Sequence, residues 1–176
     1  MERKTIIYAL GIVILCVLPF SYVLFREKEK EDYVPKETYS SVLLLDFEKN
    51  YPQNPHALIR ENSKIIQALY GGEVLSDGQI KEALSKQRML FSDEILERNT
   101  FESQVENTIH EIILLTENKQ HIVSIEIESV LYDEGSDKIC TVTTKQETTT
   151  GHAIRTEYRL AVITGEWKIL GWKNTV

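Results

Sequence analysis

Cysteine is almost missing from this chain: of 176 residues, only Cys16 and Cys140 carry thiols. One falls in an apolar run near the start and the other far along the chain, so the two cannot meet within one molecule. No internal disulfide supports the fold, which must rely on a hydrophobic core. Cys140 itself stands in an alternating apolar segment and reads as a small core residue. Basic charge is also short, with 20 Lys and Arg against 27 Asp and Glu and a net charge of −7. Nothing here is basic enough to grip a polyphosphate backbone, which excludes nucleic acid as a partner. There are no internal repeats, no Pro-rich tract and no Gly/Ser-rich tract, so solenoids and low-complexity chains are excluded as well. The four histidines, His56, His110, His121 and His152, never stand at metal-ligand spacing, and Cys140 has no second thiol nearby. They read as surface histidines. The acidic clusters Arg26–Asp32 and Asp133–Asp137 lack the ligand spacing of a calcium loop and read as solvated charge. No metal or other cofactor is expected.

What the chain does have is a charge-free run of 21 residues, Thr5–Phe25. As a helix it would reach roughly 30 Å, the hydrocarbon thickness of a bilayer. A cleaved signal peptide would show a shorter apolar core and small residues at a cut site, whereas Ser21-Tyr22-Val23-Leu24-Phe25 is bulky. A lipoprotein signal through Cys16 would want a small residue where Leu15 stands. Pro19 is tolerable in a membrane helix. The run is therefore expected to be an uncleaved transmembrane anchor, with residues 1–25 forming a short tail and the span. Lys and Arg flank both ends, with Arg3 and Lys4 before and Arg26, Lys28 and Lys30 after, so their balance does not set the orientation. The very short head and long tail favour a single-pass signal anchor in the cell membrane, with the tail on the extracytoplasmic side.

Residues 26–40, mixed in charge and broken by Pro35, read as a spacer. Residues 41–176 are long enough for one α+β globular domain and too short for two typical ones. Ser41–Lys49 is open between a short helix and an extended lead-in. Asn54-Pro55 then places a capping side chain ahead of a first-turn proline, and Gly71-Gly72 ends that helix after Tyr70. Leu58, Ile59, Ile65, Ile66 and Leu69 share its buried face. A second helix opens at Ser76 with Gln79 as a capping-box partner, its apolar face being Ile80, Ala83, Leu84 and Phe91. A third follows Thr100, with Phe101, Val105, Ile109, Ile112 and Thr116 on one side, and ends near Asn118.

From His121 the apolar period changes to two. Val123, Ile125 and Ile127 alternate with polar residues in a first strand, and Ile139–Thr149 is the second. Ile154, Thr156, Tyr158, Leu160 and Val162 line one face of the third, and Trp167–Trp172 is the fourth. On strict alternation, Trp167 and Trp172 lie on opposite faces. Short connections make the four strands an antiparallel meander, with about three helices packed on one side of a curved sheet.

That order resembles the nuclear-transport-factor-like superfamily, whose cone-shaped domain closes on a strand such as Trp167-Lys168-Ile169. More narrowly, three stretches resemble an uncharacterised family of small membrane-anchored proteins of Gram-positive anaerobes. They are Tyr51-Pro52-Gln53-Asn54-Pro55, Ile65-Ile66-Gln67-Ala68-Leu69-Tyr70 and Trp167-Lys168-Ile169-Leu170-Gly171-Trp172. The resemblance implies a cone fold behind an anchor and carries no catalytic signature. The wider superfamily includes ketosteroid isomerases, whose chemistry needs a carboxylate inside the cone. Here the strand carboxylates Glu126, Glu128 and Glu157 alternate onto the polar side, so catalysis is not expected.

Two polar residues do fall inside apolar helix arcs, Asn62 and Gln87. Buried amides must find partners. They either serve structure or, with Tyr158 on the buried face of its strand, floor a pocket. The expected role is a non-catalytic interaction or assembly domain with a protein partner in the membrane or envelope. The alternative is the binding of an apolar small molecule or lipid in the cone, with Asn62, Gln87 and Tyr158 as its polar contacts.

Overall fold

The computed structural model describes residues 33–34 and 38–175. The chain divides after Tyr33, and the fold below is that of the second unit, Val34–Val176. The apolar run Thr5–Phe25 and most of the spacer lie outside the described residues. Among the described residues, no helix is long and apolar enough to cross a membrane.

Five helices pack on an antiparallel sheet: α1 (Tyr39–Leu43), α2 (Pro55–Tyr70), α3 (Asp77–Arg88), α4 (Asp93–Arg98) and α5 (Phe101–Glu117). The three long ones start where local chemistry says they should. Asn54 Oδ1 accepts from the Ala57 N–H at 2.8 Å and Pro55 occupies the first turn. Ser76 and Gln79 form the reciprocal capping box that opens α3, and Thr100 Oγ1 accepts from Ser103 N–H to open α5. Each device satisfies amide donors that the first turn leaves without a carbonyl.

Helix α2 stops because two glycines allow it to. Gly72 has φ +88°, and a Cβ there would sit 2.8 Å from the His121 ring. A Cβ on Gly71 would meet the Gln67 carbonyl oxygen at 2.4 Å. The left-handed residue is thus Gly72, with Gly71 demanded by space.

The two short helices differ from the expectation of about three. Within Ser41–Lys49 only the beginning is helical: α1 ends at Leu43 and turns follow. Lys86 Nζ donates to the Val42, Leu43 and Leu45 carbonyl oxygens at 3.0, 2.8 and 2.7 Å, which closes the open end of so short a helix. Phe91 is not on a helix face, since α3 ends at Arg88; it is buried because residues 90–92 run along the last strand. There Ile169 N–H donates to Leu90 O at 2.9 Å and Ser92 N–H to Ile169 O at 3.0 Å. Helix α5 is the most exposed of the long helices. It buries Val105 and Thr108, while Thr116, expected on its inner side, is exposed and turns its hydroxyl back to the Ile112 carbonyl oxygen at 2.8 Å.

The long strands are β2 (Ile122–Tyr132), β3 (Ile139–Thr148), β4 (Ala153–Ile163) and β5 (Glu166–Thr175), paired antiparallel in sequence order. A two-residue strand, β1 (Tyr33–Val34), stands before β2 in that order. Three register shifts interrupt the ladders, each adding a residue to one strand, which bends it and raises its twist. In β2 they fall between Ile122 and Ser124 and between Ile127 and Ser129. The first makes Ile122 the buried residue and exposes Val123, correcting the simple alternation. In β5, Leu160 pairs with Ile169 but Arg159 pairs with Gly171, so Leu170 is the extra residue.

That extra residue overturns the expectation for the tryptophans. Trp167 opposes Val162 and Trp172 opposes Tyr158. Directly paired residues share a face. Both indoles therefore point toward the helices. Trp167 meets Tyr132 edge-on, and Trp172 stacks on Phe91 at 5.4 Å between ring centroids.

The inner face of the sheet is dry at one end and polar at the other. Cys140, Leu160 and Ile169 are fully buried beneath α2, α3 and residues 90–92, together with Leu58, Ile59, Ile65 and Leu84. Burying each such aliphatic chain stabilises by roughly 1.5–3 kcal/mol. Toward the other end the same face carries Thr144, Thr156 and Gln146, then Ile154, which is exposed. The cleft lies over this end.

Candidate functional site

A cleft of about 560 Å³ opens between α2, α3 and α5 on one side and β3, β4 and β5 on the other. Small-molecule sites run from ~300 to 1,000 Å³. Asn62, Gln87 and Tyr158, the three residues singled out from the sequence, all line it. Asn62 is 1 % exposed, Gln87 9 % and Tyr158 4 %.

These amides do not stand alone. Arg88 Nη1 donates to Gln104 Oε1 at 3.0 Å, Gln104 Nε2 donates to Gln87 Oε1 at 3.2 Å, and Gln87 Nε2 donates to Asn62 Oδ1 at 3.0 Å. A guanidinium has only donors. It therefore fixes the orientation of Gln104, and each amide in turn fixes the next. The chain has one direction, from a cation at the side of the cleft to Asn62 at its floor. Hydrogen bonds aligned this way polarise one another. Asn62 thus uses its carbonyl oxygen within the chain and keeps its N–H₂ group as a donor.

Tyr158 completes the floor. Burial pushes its phenol well above the ordinary range, with the side chains of Thr144 and Asn62 close enough to offset part of the rise. It stays a neutral hydroxyl at any physiological pH. On the sheet side, Gln146 Nε2 donates to Thr156 Oγ1 at 3.3 Å, and Thr156 donates to Asn174 Oδ1 at 3.0 Å. Trp172, 49 % exposed, stands beside Tyr158 with its other neighbour Phe91 at its back.

Seven of the eighteen lining residues carry side-chain amides and a single one, Glu111, is charged. Glu111 accepts the Tyr70 hydroxyl at 2.7 Å at the outer wall. Burial, then the Glu111 carboxylate, pushes the Tyr70 phenol above its usual range. The strand carboxylates Glu126, Glu128 and Glu157 do not line the cleft, and Arg155 holds Glu128 through two bonds of 2.8 and 3.1 Å. Among the described residues, no group of three or more His, Cys, Asp or Glu is placed to hold a metal ion. The arrangement can recognise neutral polar groups by hydrogen bonding and an apolar ring face by stacking.

Sequence reasoning missed Gln104, Asn174 and Trp172. Gln104 has a signal, since it precedes Val105 on the inward side of α5. Trp172 and Asn174 do not, because their direction depends on the extra residue at Leu170. No curated protein and no solved structure matches the chain. A family model does, over residues 1–172 and so across the helices and all but the last residues of the sheet, and the chain belongs to that family, described as a domain of unknown function, DUF6715.

Proposed function

We propose that this domain is a non-catalytic binding module that takes a neutral small molecule into the cleft, and that Thr5–Phe25 tethers it to the cell membrane with the domain on the extracytoplasmic side. The observation that carries the first half is the directed amide chain ending at Asn62. The chain runs on from Asn62 to Tyr158, and all of its amides line the cleft, which is how ligand pockets place their few orienting polar groups. The amides stand among apolar walls that include Ile66, Phe91, Leu115 and Trp172, which favours an occupant with neutral polar groups and an apolar face over a wholly apolar molecule or lipid. This lining also moves the weight from protein assembly, the first expectation, to ligand binding. Helices first, then a bulged antiparallel meander, support reading the fold as a nuclear-transport-factor-like cone.

The tether rests on the length and flanks of the apolar run. Alkaline washing of membranes tests it: the full chain should stay in the pellet, and release into the supernatant would overturn the anchor. Binding is tested by thermal shift of the full chain against a library of neutral polar compounds. A hit whose effect is lost in Gln87→Leu, with the unliganded melting transition still cooperative, supports the cleft. Hits that survive this change would place binding elsewhere.

A further inference from the structure

The cleft distinguishes donors from acceptors at its floor, and that narrows its ligand. The geometry points to a neutral N-acylated saccharide, held by its acyl carbonyl on Asn62 and Tyr158 and by its ring on Trp172. This rests on the binding-module reading above and adds the ligand's chemistry.

Three observations converge on it. The first is polarity at the floor. Because Gln87 occupies Asn62 Oδ1, the Asn62 N–H₂ group is left as donor: one hydrogen meets the Tyr158 oxygen, and the second, with the hydroxyl hydrogen of Tyr158, is what the floor has for a ligand. Two donors in a cleft lined by no Lys, Arg or His select a neutral acceptor oxygen, such as an amide carbonyl, over a carboxylate or phosphate. Arg88 is the nearest fixed cation in this network, and it is spent on Gln104 and on the Asn99 carbonyl oxygen at 2.9 Å.

The second is the platform. Trp172 is backed by Phe91 on one face, is half exposed, and adjoins the donor pair through its pairing with Tyr158. A pyranose presents C–H groups on one face and hydroxyls at its rim. A stiff aromatic surface next to a polar floor matches that division. The third is the wall. Thr156 and Asn174 lie one step along the strands from Tyr158 and Trp172, and Gln146 lies two. Hydroxyls and amides that each donate and accept suit vicinal sugar hydroxyls, which also do both. With Glu111 the one charged lining residue, nothing in the cleft would reward an anionic ligand, and the Glu111 carboxylate is already held by the Tyr70 hydroxyl.

The test uses the full chain in a detergent whose head group is not a sugar. The probes are N,N′-diacetylchitobiose and cellobiose, which share their ring linkage and differ in the acetamido group. The chain has two tryptophans, of which Trp167 is buried, so a change in emission on binding reports Trp172, and Trp172→Phe should abolish it. We expect the acetylated sugar to bind at least about tenfold tighter than cellobiose, as a site built on hydrogen bonds discriminates against a ligand lacking the group it reads. Tyr158→Phe, which removes only the hydroxyl, should shrink that preference by roughly three- to tenfold. Trp172→Leu, at a half-exposed position, should weaken both sugars. Equal affinity for the two probes, or an undiminished preference in Tyr158→Phe, overturns the carbonyl assignment. If neither sugar binds while a neutral non-sugar amide changes Trp172 emission, the saccharide inference falls and the binding module stands. If no neutral compound perturbs Trp172, the module reading falls with it.

Discussion

The Tyr51 hydroxyl donates to the Trp167 carbonyl oxygen at 2.7 Å, across 116 residues of chain. This bond fastens the segment before α2 to the start of the last strand. Lys168 Nζ lies 4.4 Å from the Tyr51 ring centroid and donates to Met89 O at 2.8 Å, so the cation covers the ring while anchoring the end of α3. Tyr51→Phe should cost about 1 kcal/mol, the usual net worth of such a bond, read as a lower urea midpoint at unchanged slope. A double-mutant cycle with Lys168→Met should show coupling above about 0.5 kcal/mol, because the two side chains are in contact.

The stop of α2 gives a sharper prediction. Gly72→Ala must place a Cβ at φ +88° and 2.8 Å from the His121 ring. Loss of a permitted left-handed glycine together with a clash should cost more than about 1 kcal/mol. In the double variant Gly72→Ala/His121→Ala the clash disappears and only the backbone strain remains. Recovery of part of the loss, measured by thermal melting, is the expected outcome; no recovery would mean that the ring is not the obstacle.

Leu160→Ala removes a fully buried side chain at the dry end of the sheet. A loss of about 2–5 kcal/mol is expected. Asn174→Ala, at the open end, should cost about 1 kcal/mol, the worth of the bond it accepts from the buried Thr156 hydroxyl. Chemical denaturation of the pair checks the division of the sheet into a packed end and a cleft end.

Alkali should act through the tyrosines. Burial, and then the Glu82 carboxylate that accepts its hydroxyl at 2.6 Å, pushes Tyr39 up to about 12. Tyr51, Tyr70 and Tyr158 also stand above the ordinary phenol range. Cys140 follows them, its thiol pushed up to about 11 by burial. For all of these the folded-state pKa exceeds the unfolded one. Their stabilising contribution is complete below the unfolded value, about 10 for tyrosine, and is lost as pH rises beyond it. The melting temperature should therefore hold to about pH 9 and fall steeply between pH 10 and 12. Absorbance of phenolate should show these four tyrosines titrating late and together with unfolding. Early, reversible ionisation of all of them would contradict the burial.

The helix starts were legible because they are local. Asn54, Ser76 and Thr100 act within three or four residues of themselves, so a short window contains the whole cause. The errors cluster where the cause is distant. Val123 and Trp172 were assigned by counting in twos, but a bulge is decided by what the neighbouring strand pairs with. Phe91 continues the apolar period of α3, yet its place is set by Ile169, far along the chain. The floor of the cleft was legible through Asn62 and Gln87, since an amide inside an apolar arc must have a partner. Its outer wall was not. Asn174 belongs to the cleft because of a backbone irregularity four residues earlier, and no property of asparagine announces that.

The extra residue at Leu170 makes the closing strand a hinge of composition between two tasks. Before it, Trp167 and Ile169 pack in the core; after it, Trp172 and Asn174 line the cleft. Deleting Leu170 would restore a regular ladder and still leave Trp172 opposite Tyr158, whereas straightening the strand at constant length would turn the indole outward. Were the cleft to bind as proposed, Asn174 could be exchanged to alter selectivity at little risk to the packed half, whereas Trp172, stacked on the buried Phe91, belongs to both.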